Sequence, residues 1–108
     1  MSVSNDFLEY ILDQFSAWDD VSTQRMFGGA GLYRHGKMFG LVFDDVAYLK
    51  VDETNRGKYE ESGSSPFKPF PERPTSVSYF EIPADILEDP EELIEWSAES
   101  LSIQQKRK

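Results

Sequence analysis

Two strings in this chain place residue types at spacings that chemistry uses. Gly31-Leu32-Tyr33-Arg34-His35-Gly36-Lys37 reproduces the GxxxxGK part of a phosphate-binding loop. Such a loop needs a Ser or Thr next, to hold magnesium, and a helix whose N-terminal N–H groups face the phosphates. Here Met38 follows and opens an alternating apolar run, so the string reads as a hairpin turn and no nucleotide is expected on it. Gly28-Gly29-Ala30-Gly31 fails as a dinucleotide fingerprint, because Arg34 stands where the last glycine belongs. Its glycines read as permission for a bulge or a close backbone approach. His35 is the only histidine, and it sits in the turn, where exposure is the simpler reading. Ser22, Ser76 and Ser78 lack a base and an orienting acid that would make any of them a nucleophile. Glu88, Asp89, Glu91 and Glu92 resemble a cation cluster, but acids at a helix start are favoured by the helix dipole without any metal. No catalytic, cofactor-binding or metal-binding residue is therefore assigned, and the chain reads as non-enzymatic.

What remains is a set of cations among strand aromatics: Arg25 beside Met26 and Phe27, Arg34 beside Tyr33, and Lys50 near Tyr48. Alternate residues of a strand share a face, so Tyr48 and Lys50 point the same way. They form either part of a protein-binding surface or a lysine stem laid over packed rings at a sheet edge.

The elements that must position these residues follow from periodicity. Phe7, Leu8, Ile11, Leu12 and Phe15 make one apolar stripe of a helix over residues 4–17, with Ser4 as N-cap. From Val21 to Val51 four short β-rich runs alternate with turn residues, a meander whose tight turns are His35-Gly36-Lys37 and Asp44-Asp45. In Met38–Phe43, Phe39, Leu41 and Phe43 fall on one face and Met38, Gly40 and Val42 on the other. Both sets are apolar, which predicts a central strand covered on both sides. Residues 53–62 predict a short helix capped by Asp52 and stopped by Gly63. Residues 63–74 carry four prolines and predict an ordered loop or mobile flap, with Phe67 and Phe70 favouring partial docking. Residues 77–83 predict a fifth strand ended by Pro83. Asp89-Pro90-Glu91-Glu92 then supplies a cap, a proline at the first helical position and acids in the first turn of a helix to about Gln104. The order α-β-β-β-β-α-β-α predicts an α+β fold: an antiparallel sheet of about five strands with N- and C-terminal helices packed on it.

Composition sets the outer bounds. The chain has 108 residues, 39% of them hydrophobic, which suits a single domain over residues 1–108. Its formal net charge is −9, with no cysteine, which excludes disulfides and thiolate chemistry and suits a reducing cytoplasm. No apolar run approaches a membrane span, and the N-terminus lacks the pattern of a signal peptide. Acid is concentrated at the ends: residues 1–20 carry five acids and no base, residues 74–105 eight acids and no base. Phosphate repels such a surface, so autonomous DNA binding is not expected, whereas a basic protein surface is a suitable partner. The closing Lys106-Arg107-Lys108 reads as a solubilising tail.

Several runs resemble one family. Arg25-Met26-Phe27-Gly28-Gly29-Ala30-Gly31-Leu32-Tyr33, Met38-Phe39-Gly40-Leu41-Val42 and Tyr48-Leu49-Lys50-Val51-Asp52 are similar to the N-terminal domain of the TfoX/Sxy family of bacterial competence regulators. Asn55-Arg56, Gly63, Pro66-Phe67, Ser78–Pro83 and Leu93–Trp96 agree in order, so the resemblance spans about residues 7–101. It implies an α+β domain and a transcriptional co-regulator whose partner is the cyclic-AMP receptor protein or RNA polymerase. Longer members carry a second, helical domain; with the chain ending at Lys108, a stand-alone version is expected. The matched Arg25, Phe27, Gly28, Gly29 and Lys50 become candidates for a partner surface, while the glycines and Phe27 also suit a role in the fold. Two other readings stay open. One is a small-molecule or peptide module in which loop 63–74 closes over a sheet face near Tyr48 and Tyr79; the other is a homodimer joined at an unpaired sheet edge.

Overall fold

A computed structural model describes residues 4–26, 29–67 and 79–106 of the chain. It shows the α+β architecture read from the sequence, a five-stranded antiparallel sheet with helices at both ends. Helix α1 spans Asn5–Gln14. Ser4 caps it as expected: its Oγ accepts from the Phe7 N–H at 3.1 Å. The Ser4 N–H donates in turn to Asp45 Oδ1 at 2.8 Å, so the helix start is tied to a hairpin 41 residues away.

Strands β1 (Val21–Met26), β2 (Gly29–Arg34), β3 (Lys37–Phe43) and β4 (Val46–Lys50) form the meander, and β5 (Tyr79–Glu81) adds to β4. Spatial order equals chain order, with β3 in the middle. The two turns expected at His35-Gly36 and Asp44-Asp45 have positive φ at both central residues (53° and 77°; 54° and 58°). This is the backbone that lets a two-residue loop match the right-handed twist of its strands, and Asp and Gly tolerate it better than branched residues.

The turn before the next helix differs from the expectation. Helix α2 covers Arg56–Glu61, and Asp52 does not cap it. Asp52 instead closes the preceding turn, its carboxylate accepting from Thr54 N–H at 2.8 Å and its carbonyl from Arg56 N–H at 3.0 Å. An aspartate competes well for local backbone donors in a turn, and this delays the helix. Gly63, with φ of 81°, ends it as expected. Gly63 N–H bonds to Glu60 O at 3.1 Å and Ser64 N–H to Tyr59 O at 3.0 Å, a Schellman closure.

Past that closure the first residues of the proline-rich stretch run alongside β5. Phe67 N–H donates to Tyr79 O at 2.8 Å, and Glu81 N–H donates to Ser65 O at 2.9 Å. Pro66 bridges to Phe80. Residues 68–78, including Phe70 and most of the expected flap, lie outside the described residues. After β5 the chain makes a one-turn helix α3 (Ala84–Leu87), which the sequence reading did not anticipate, and then helix α4 (Pro90–Lys106). Asp89 Oδ1 accepts from the N–H groups of Glu91 and Glu92 at 3.2 and 3.3 Å, the cap predicted for α4.

Cross-strand partners share a face, so the register defines two sides of the sheet. One side carries Ala30, Leu32, Val42, Ala47, Leu49 and Phe80, all buried under the helices. The other carries Leu41, Phe43, Tyr48, Lys50 and Tyr79. Phe39 departs from the expected alternation. The β2–β3 register slips between Leu32 and Tyr33, and Phe39 packs not with Leu41 and Phe43 but on the helical side, against the residues that follow α1. Its ring meets Phe15 edge-on at 5.5 Å and Trp18 at 5.4 Å, and it is wholly buried. An extra residue on one strand re-aims a side chain in this way. Phe39→Ala is expected to cost about 3–5 kcal/mol, read as a lowered denaturant midpoint; a cost as small as that of an exposed substitution would mean that Phe39 does not anchor α1.

Candidate functional site

The candidate residues do not converge on one face. Arg25 lies on β1, exposed, opposite Ala30 and therefore on the helical side. Its Nη2 donates to Asn5 Oδ1 at 2.5 Å at the start of α1. Lys50 lies on β4, opposite Tyr79 and on the other side. Three strand spacings, about 14 Å, separate β1 from β4. Phe27 and Gly28 lie outside the described residues. Gly29 sits where a Cβ would stand 2.3 Å from the Val42 carbonyl oxygen, so glycine is what lets β2 approach β3 there.

Lys50 is only 8% exposed. β4 is an interior strand, and the ammonium lies 5.1 Å from the centroid of the Tyr79 ring. This is a lysine packed over an aromatic ring. Nearby on the same side, Tyr48 and Phe67 rings stand 4.8 Å apart and Phe43 meets Phe67 at 5.7 Å. Partial burial and the charges of Glu81 and Asp44 raise the Tyr48 phenol above its ordinary value.

Two other cation–aromatic pairs were not singled out from the sequence. Arg34 lies 4.5 Å over Trp18 while its Nη2 donates to Asp19 Oδ1 at 2.6 Å. That guanidinium lowers the Asp19 carboxyl below the usual carboxylate range. Lys58 lies 4.2 Å over Trp96 and pairs with Glu99 at 2.5 Å, joining α2 to α4. The signal for the second pair was the three-residue spacing of Trp96 and Glu99, which places them on neighbouring helix positions. His35 stands 3.5 Å from Asp20 Oδ2 and is half exposed. Ser22 is exposed, and Ser76 and Ser78 lie outside the described residues. Among the described residues no group of three or more His, Asp or Glu is arranged to hold a metal ion, and no helix is long and apolar enough to cross a membrane.

The outer surface of α4 is acidic. Glu92, Glu95 and Glu99 recur at three and four residues, one stripe of the helix, and all are exposed, with Glu91 beside them in the first turn and Glu88 exposed just before the cap. The opposite side of the same helix carries Leu93, Ser97, Ser100 and Leu101, all buried over β3 and β4. Two serines on the buried face let α4 sit close to the sheet. Ser100 Oγ donates to the Lys50 carbonyl at 2.7 Å, so the helix that carries the acidic stripe is pinned to the strand that carries Lys50.

Beneath Trp96, Tyr59 is wholly buried, its ring 4.7 Å from the indole. Burial pushes its phenol far above the ordinary value of 10, assisted by the charge of Glu99 and opposed by the neighbouring Ser100 hydroxyl. A raised acid releases its proton in the unfolded chain first. Its contribution is therefore complete below about pH 10 and is lost as pH rises beyond that value. Melting temperature is expected to fall between about pH 10 and 11.5, less steeply in Tyr59→Phe than in the native chain; equal slopes would show that Tyr59 does not titrate with unfolding. Gly29→Ala is expected to cost about 1–3 kcal/mol by forcing β2 from β3, again read from the denaturant midpoint; a neutral result would free Gly29 for a role outside the fold.

No curated protein matches the chain. The family model described as the TfoX N-terminal domain matches residues 13–103. That span takes in α1 from its last turn, all five strands and nearly all of α4. The match and the fold together place this chain in the TfoX N-terminal domain family.

Proposed function

We propose that this chain is a non-catalytic regulatory domain that acts by docking onto a basic surface of another protein. The observation that carries the reading is the exposed acidic stripe on α4, held rigid from behind by the buried Leu93–Leu101 face and the Ser100–Lys50 hydrogen bond. Fixed charges on a braced helix steer a basic partner and give register at an interface more than they give raw affinity. The same charges repel a phosphate backbone, which supports action through a protein and not through direct DNA contact. In its finer form the reading follows the family: the partner belongs to the transcription machinery, the cyclic-AMP receptor protein or RNA polymerase, in the cytoplasm, and the output is control of competence genes. Arg25 is an exposed accessory contact at the far edge of the sheet. Lys50 acts from within, by keeping Tyr79 in place.

A second reading draws on the half-buried aromatic group Phe43, Tyr48 and Phe67, which offers stacking surface to a small planar ligand or peptide. Thermal stabilisation by a member of a metabolite panel, lost in Tyr48→Ala, would favour it.

Affinity capture of the tagged chain from its own cells, quantified by mass spectrometry, tests the first reading. The comparison is with a Glu92→Lys, Glu95→Lys variant and with Arg25→Ala, each first confirmed to fold by circular dichroism. Receptor or polymerase subunits are expected with the native chain, reduced by roughly tenfold or more with the charge-reversed variant and by less with Arg25→Ala. Equal enrichment by native and charge-reversed chains would overturn docking through α4.

A further inference from the structure

The two edges of the sheet are finished differently. Beyond β5, the Ser64–Phe67 segment takes the edge bonds through Ser65 O and Phe67 N–H, and Pro66 brings no N–H of its own to the new outer side. Proline on the outermost strand is one of the devices by which proteins keep an edge from pairing further. At the other end β1 carries one charge, Arg25, and none of the other protections. It is six residues long, its register with β2 runs from Val21 to Met26 without a bulge, and it contains no proline or lysine. Among the described residues nothing pairs with its outer side.

The charges at the two ends of β1 are opposite. Asp20 precedes it, with its side chain 62% exposed, and Arg25 is its one charged residue. Two copies laid side by side in opposite directions bring each Arg25 end against the Asp20 end of the other copy, twice over by symmetry. A parallel arrangement would set Arg25 beside Arg25. The edge is thus complementary to itself about a two-fold axis, the condition for an isologous contact.

We propose that β1 is a homodimerisation edge, at which two copies of this chain join antiparallel to extend two five-stranded sheets into one of ten strands. This surface is separate from the α4 stripe and shares only Arg25 with the docking reading above, without which the proposal stands. The contact is weak by construction. Six residues of edge bury well under the roughly 1,600 Å² of a standard interface, and two chains at −9 repel. Dissociation constants near or above the micromolar range follow.

The absence of cysteine from the chain makes the test direct. Single cysteines are introduced as Ser22→Cys, Thr23→Cys and Gln24→Cys, with Ser102→Cys on the exposed side of α4 as control, all checked for folding by circular dichroism. At a protein concentration of roughly 0.1 mM under mild oxidation, the cysteine nearest the two-fold axis is expected to give a covalent dimer several times faster than the control. Adding Arg25→Glu, which sets like charges together, is expected to slow that cross-link by several-fold. Light scattering of the native chain over the same concentrations is expected to show a mass rising toward twice the monomer. Cross-linking no faster than the Ser102→Cys control, or a constant monomer mass up to roughly 1 mM, would overturn the proposal. An Arg25→Glu chain that still cross-links at the native rate would overturn the antiparallel charge pairing.

Discussion

Phe39 is the residue on which the two layers of the molecule close. Its ring sits between Phe15, just past the end of α1, and Trp18, at the start of the turn into β1. Trp18 in turn carries Arg34 on its outer face, and Arg34 holds Asp19. A chain of ring and charge contacts therefore runs from the centre of the sheet to its surface corner. All of it requires the register slip between Leu32 and Tyr33 that brings Phe39 to the helical side. Had β3 kept strict alternation, Phe15 at the end of α1 would lose its edge-on ring contact and Trp18 would lose one of its two ring partners.

Much of this was legible in the residues. The hairpin turns follow from which residue types accept positive φ, and α4 begins where Asp89 and Pro90 say it must. The side taken by Phe39 was not legible, because the slip belongs to the pairing of two strands and leaves no mark in either alone. The late start of α2 was hidden by a local contest: Asp52 has the right type for a helix cap and uses it on a turn. Ser97 and Ser100 read as surface residues by type, yet their smallness suits a helix that lies close to a sheet. Prolines argued against a regular element after Gly63, yet in the described part of that stretch Pro66 bridges to Phe80, at the kind of position where a missing N–H does no harm to a neighbouring strand.

The candidate surface residues were legible as types and not as an ensemble. Arg25 and Lys50 read alike in sequence, each a cation in a β-rich run. One ends on an exposed edge strand tied to Asn5, and the other in an interior strand behind Tyr79. What separates them is position in the sheet, which depends on four other strands. The acidic stripe of α4 lay in plain view as a periodicity, but its meaning as a rigid face came only with the hydrogen bond that fixes its reverse side to Lys50.

Because neighbours in the sheet are neighbours in the chain from β1 to β4, each pairing in that stretch closes a loop of only a few residues. The entropy lost in forming it is small, and it is offset hairpin by hairpin by the contacts each pairing makes. β5 and α4 belong to another class: they return from far along the chain to a surface that must already exist. The molecule is therefore built as a local platform with a non-local cover, and its acidic face rides on the cover. Loosening the cover would disperse that face and at the same time bare the apolar side of the platform that α4 buries.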